Sequence, residues 1–140
     1  MKSIILSLSF LLASVVVMAQ KTTVTIQVNN IQVGKGSVVL NIYDSEASFF
    51  KTAYISKTQT ADNTSLKFTF EIPIGTYAIS IYQDTDGNEK LNQGWFDIPL
   101  EPVGFGNNFK PSFSQPTFNE CAVNVSDKNS NFSINLFSVF

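Results

Sequence analysis

Along "DTDGNEKLN", residues 84–92, oxygen-bearing side chains recur at alternate positions: Asp84, Asp86, Asn88 and, skipping Lys90, Asn92. This is how the first half of an EF-hand-type loop wraps a calcium ion. Positions 1, 3, 5 and 9 give side-chain oxygens and position 7 gives a backbone carbonyl. On that reading Asp84, Asp86, Asn88 and Asn92 are ligands, Lys90 offers its carbonyl, and Leu91 packs inward. Three features depart from the pattern. Glu89 stands at position 6, where a glycine normally makes the sharp turn, and Trp95 stands at position 12, where a bidentate glutamate belongs. The flanking segments read as strands, not helices. A further carboxylate would have to complete the shell, and Asp97, Glu101 and Glu89 are the candidates. With two firm carboxylates the expected dissociation constant is about 10⁻⁴–10⁻³ M, as in extracellular modules. The competing reading is a hairpin loop using Asp-Gly turn chemistry, its side chains bonded to local backbone. From these residues alone both readings stand.

A second constellation lies in "GFGNNF", residues 104–109. Asn107 and Asn108 offer amide donors and acceptors beside Phe105, Phe109 and Trp95. Amides flanked by aromatics suit recognition of a sugar or a peptide. The alternative is a long loop pinned by its own aromatics, with the asparagines capping backbone groups. For a hydrolase, the usable pairs are carboxylates such as Asp97 and Glu101, in the manner of a glycosidase.

Absences narrow the chemistry further. Among 140 residues there are 9 lysines, no arginine, 11 acidic residues and no histidine. Without histidine there is no serine or cysteine triad and no imidazole ligand. Without arginine there is no bidentate phosphate clamp, and a mildly acidic chain is a poor nucleic-acid binder. Oxygen ligands remain, and they suit a hard cation. Cys121 is the one cysteine, so no internal disulfide can form. It shares its parity with Val123 and Val125 and reads as a small buried apolar residue.

The elements that must position these groups are strands. Val24, Ile26 and Val28 alternate in "TTVTIQV" (22–28), and Val38, Leu40 and Ile42 in "GSVVLNIY" (36–43). In "SLKFTFEI" (65–72) Leu66, Phe68, Phe70 and Ile72 alternate with polar residues. "TYAISIYQ" (76–83), "ECAVNV" (120–125) and "NFSINLFSVF" (131–140) complete the set. Period-two alternation gives each strand one buried and one wet face, as in antiparallel sheets. The expected fold is all-β: an antiparallel β-sandwich of immunoglobulin- or transthyretin-like type, with about seven strands. Residues 84–116 break the rhythm with four prolines, four glycines and five aromatics, and read as a long aromatic-rich loop. Ahead of the strands, "MKSIILSLSFLLASVVVMAQ" has Lys2, an apolar run over 4–18, and Val17 and Ala19 at the −3 and −1 places of a cleavage after Ala19. Residues 1–19 therefore read as a signal peptide and 20–140 as a single mature domain, exported to the periplasm or secreted. No transmembrane segment remains after cleavage.

Three stretches in order carry a family resemblance: "NIYDSEASF" (41–49), "IPIGTYAISIYQDTDGNEKLN" (72–92) and "PVGFGNNFKPSFSQPTFNECAVNV" (102–125). Together they resemble the bacterial exported domains of domain-of-unknown-function family 2141 (DUF2141). Glu89, Asn92, Gly106 and Cys121 stand where that family usually has glycine, aspartate, serine and alanine. The resemblance implies an exported β-sandwich without an assigned activity. The resulting expectation is a non-catalytic binding or structural module of the cell envelope. A calcium ion in loop 84–92 would order 93–116, and carbohydrate, peptide or protein would be the partner. The alternatives are a carboxylate hydrolase acting on carbohydrate and a purely structural envelope protein with no small ligand.

Overall fold

The structure is a computed structural model that describes Ser14 and Val16–Phe140. Most of the leader expected over 1–19 lies outside the described residues. Eight strands follow: β1 (Lys21–Asn29), β2 (Ser37–Tyr43), β3 (Ile55–Thr60), β4 (Ser65–Pro73), β5 (Gly75–Asp84), β6 (Val103–Phe105), β7 (Ala122–Val125) and β8 (Asn131–Asn135). They form two sheets, one ordered β4-β1-β8 and one ordered β3-β2-β5-β6, with β7 also on β5. The alternating apolar residues meet between them. Val24, Ile26, Val28, Val38, Leu40, Ile42, Phe68, Ile72, Ile79, Ile81 and Ile134 are at most 2% exposed, which makes this the principal core.

Two features differ from an all-antiparallel sandwich of seven strands. β8 runs parallel to β1, from Thr25↔Asn131 to Asn29↔Asn135. The turn cluster at 126–130 does not close a hairpin. It carries the chain from β7 in one sheet to β8 in the other. The additional strands are β3 and β6. β3 is an edge strand with little apolar pattern and a lysine, Lys57, as edges commonly carry to discourage pairing with another chain. β6 is three residues long and owes its place to its partners.

β5 is the strand that leads into the acidic loop. On one side it pairs with β2 from Ala78 to Asp84; on the other its first half pairs with β7 and its second half with β6. Both of its faces are covered. Tyr77, Ile79 and Ile81 face the principal core, while Ala78 and Tyr82 face a second cluster with Tyr43, Phe49, Val103, Phe105 and Cys121. That second cluster is roofed by the irregular segments 44–54 and 106–121. Gln83, wholly buried, bonds the β1–β2 connection: its Nε2 donates to the carbonyls of Gln32 and Lys35 at 2.7 Å, and its Oε1 accepts from Gln32 N at 3.0 Å. Cys121 is inaccessible, and burial, then the nearby Glu120 charge, push its thiol up to about 12. It packs within the second cluster, and both its burial and its raised thiol disfavour the thiolate.

Candidate functional site

β5 ends at Asp84, and the loop begins there. Asp84 is 4% exposed. Its Oδ1 accepts from Gly87 N at 2.9 Å and Asn88 N at 3.2 Å, and its Oδ2 accepts from Glu89 N at 2.8 Å. Three successive amides thus curl around one carboxylate. Asp86 Oδ1 accepts from Asn88 N at 3.1 Å and its Oδ2 from Asn92 Nδ2 at 2.7 Å. The Asn92 amide bond and then the Asn88 backbone bond hold the Asp86 carboxyl below its ordinary range. Asn88 Oδ1 accepts from Lys90 N at 2.9 Å, and its amide donates to Asn92 Oδ1. The residues read from the sequence as ligands 1, 3, 5 and 9 are therefore one bonded unit.

Of the three residues considered to complete the shell, the fold brings in Glu101. It is 3% exposed and enters from just before β6. Its Oε1 accepts from Thr85 N at 2.8 Å and Thr85 Oγ1 at 3.0 Å, and its Oε2 accepts from Asn92 N at 3.0 Å. Asp84, Asp86 and Glu101 each present a carboxylate oxygen within 4.8 Å of the others. Calcium holds oxygens at about 2.4 Å, so two ligands of one ion lie up to about 4.8 Å apart. The three hard, anionic oxygens fit that cation in type and spacing, and supply about half of the six to eight oxygens it takes. Glu89 is exposed and contributes its backbone N–H to Asp84, while Asp97 lies in a neighbouring groove.

The sequence marked Glu89 as the misfit, and its backbone shows why. Its φ is +63°, the left-handed region in which a Cβ is crowded. That crowding costs about 1–2 kcal/mol. Glu89→Gly is expected to stabilise the domain by about 0.5–1 kcal/mol, the relief exceeding the added chain entropy of glycine. Urea denaturation of the two proteins measures this directly.

Next to the loop, the outer face of the five-stranded sheet carries a groove of about 580 Å³. Asn41 and Tyr43 of β2, Ser80 and Tyr82 of β5, and Val103 and Phe105 of β6 form its floor, as strand parity requires. One lip is the excursion 93–99 and the other is 111–116. The base of the first lip is clamped: Leu100 N donates to Asn92 O at 2.9 Å and Gly94 N to Ile98 O at 2.8 Å. At its tip Phe96 and Asp97 both have φ +57°. Two adjacent left-handed residues with side chains are strained backbone, of the kind that collects at ligand sites. Phe96 is 91% exposed and Phe113, on the opposite lip, is wholly exposed. Burial first, then the charges of Asp84 and Glu101, push the Tyr82 phenol above its ordinary value.

The second sequence constellation is distributed differently. Asn107 and Asn108 have φ of +59° and +53°. Asn107 Nδ2 donates to Ala122 O; Asn108 Nδ2 donates to Ser133 O at 2.9 Å and its Oδ1 accepts from Asn135 N at 2.8 Å. These amides fasten loop 106–109 to β7 and β8. Phe105 is buried in the second cluster and lines the groove floor, Phe109 packs against that cluster, and Trp95 stands 85% exposed beside Phe96. The groove itself was not legible in the sequence. Its floor residues lie on strand faces that alternate as if wet, and its lips lie in a segment without periodicity.

A family model described as "Uncharacterized protein conserved in bacteria (DUF2141)" matches residues 26–133. That span contains the whole of the loop, Glu101 and both lips. No curated protein and no solved structure matches the chain.

Proposed function

The chain belongs to the bacterial family DUF2141, and on that premise we propose that it is an exported, non-catalytic binding module whose acidic loop takes calcium. The observation that carries this reading is the cluster of Asp84, Asp86 and Glu101, two of them buried, with oxygens within 4.8 Å. Asn88, Asn92 and the Lys90 carbonyl complete the oxygen set expected from the loop's spacing. Export is supported by the leader-like pattern of residues 1–19. Within the described residues no helix is long and apolar enough to cross a membrane.

The function of the ion follows from where Glu101 stands. It closes the excursion that forms the first lip, and Asn92 opens it. A cation bound between Asp84, Asp86 and Glu101 would fix both ends of that lip against β5. The groove beside it would then be presented in one shape, and less ordering entropy would be lost when a ligand enters.

Thermal unfolding of residues 20–140 tests the reading. At about 10 mM calcium and a dissociation constant of about 1 mM, binding to the native state adds about 1.4 kcal/mol. For a domain of this size that raises Tm by about 5 °C. The rise is expected with calcium, not with equal magnesium, and is expected to vanish in the double variant Asp84→Ala, Asp86→Ala.

A further inference from the structure

We infer that the groove on the outer face of the five-stranded sheet is a site for a small organic cation, an amine carried on an apolar body. The inference rests on the module reading for the shape of the lip. It goes beyond that reading in naming the chemistry of the occupant.

The size and lining come first. A cavity of about 580 Å³ is in the range of small-molecule sites, which run from about 300 to 1,000 Å³. Tyr43, Tyr82, Phe50 and Phe105 supply aromatic surface at the base, and Phe96 and Phe113 line the groove from opposite lips. Two phenyl rings almost wholly in water, one on each side of one groove, are poorly placed unless something covers them.

Charge then selects the occupant. Among the described residues Asp97 is the one charged side chain lining the groove. No lysine lines it, and the chain has no arginine or histidine. An anionic ligand would meet the Asp97 carboxylate with no cationic side chain in the lining to offset it. An ammonium meets a carboxylate and the negative faces of aromatic rings, which attract a cation beyond the apolar contact that a neutral isostere also makes.

Geometry gives Asp97 its position. Gln93 Nε2 donates to the Asp97 carbonyl at 3.0 Å, and the left-handed turn at Phe96 and Asp97 sets both side chains on the lip. Ser80, whose hydroxyl reaches Tyr43 Oη at 3.5 Å, leaves a polar spot on the floor.

The test uses one body with three charges: 2-phenylethylamine, 2-phenylethanol and 3-phenylpropanoate, titrated into the full mature chain with calcium saturating and followed by Trp95 fluorescence and calorimetry. The amine is expected to bind about tenfold more tightly than the alcohol, and the acid not at all. Asp97→Asn is expected to bring the amine down to the level of the alcohol without changing the alcohol. Phe113→Ala, at a wholly exposed position, is expected to weaken both. Equal binding of all three probes, or tighter binding of the acid, overturns the inference. So does the absence of any binding at about 10 mM while calcium still raises Tm; that outcome leaves the module reading standing. Loss of the calcium response with amine binding retained overturns the module reading and leaves the groove.

Discussion

Glu101→Ala is expected to lose about 3 kcal/mol of stability in calcium-free buffer and to remove the calcium response entirely. The carboxylate is 3% exposed and accepts from Thr85 N, Thr85 Oγ1 and Asn92 N. Bonds to a charged acceptor contribute about 1.5–3 kcal/mol each, and they do not add fully. Truncation also strands two main-chain donors in a poorly hydrated place. Glu101→Gln is the informative companion. It keeps one oxygen for Thr85 but turns an NH₂ toward Asn92 N, so about half the loss is expected with the same shape retained. Urea unfolding with EDTA, then with calcium, separates the two effects. A Glu101→Ala protein of unchanged stability would mean that this carboxylate does not hold the lip to β5.

Gly36→Ala is expected to be at least as damaging, with a loss of about 3 kcal/mol or more. Gly36 has φ +64°, and a Cβ built on it would lie 1.8 Å from the Asp84 carbonyl oxygen and 2.9 Å from the carbonyl carbon. The obstacle is backbone, so no rotamer change relieves it. β5 would have to shift at the very residue that starts the acidic loop. Calcium affinity should therefore fall together with stability. Gly87→Ala is the control. Its φ is +74° but nothing lies within 4 Å of its Cβ position, so it carries only the left-handed strain, about 1 kcal/mol. If the two substitutions cost the same, the close approach of the β1–β2 connection to Asp84 is not a constraint on the site.

Much of this architecture is written in local pattern. β1, β2, β4 and β5 alternate so regularly that their buried faces follow from the sequence, because a one-residue slip would expose the whole set. The oxygen spacing of loop 84–92 was legible for the same reason: its bonds are made within nine residues. Glu101 was one of three candidates and no more. What selects it is the pairing of β5 with β6 and the closure of an intervening lip, which are long-range contacts. The parallel β1–β8 pairing is also set at long range, by a turn that changes sheet. Asn107 and Asn108 show the converse case. Their types read as recognition groups, yet their left-handed backbone turns both amides onto neighbouring strands. The groove floor stayed hidden because Asn41, Ser80 and Tyr82 are ordinary residues for a wet strand face, and only the fold shows them roofed by two lips.

The calcium claim is tested most directly by titrating calcium into ¹⁵N-labelled 20–140 and following the amides by NMR. The account predicts saturable shifts, at about millimolar calcium, in the amides of Gly87, Asn88, Glu89 and Asn92. It also predicts shifts in Thr85 and in the lip from Gly94 to Leu100, with the polar face of β4-β1-β8 unmoved. Spectra unchanged at about 10 mM calcium would contradict it, and the three carboxylates would then be a hydrogen-bonded turn that fastens β5 to β6 without an ion.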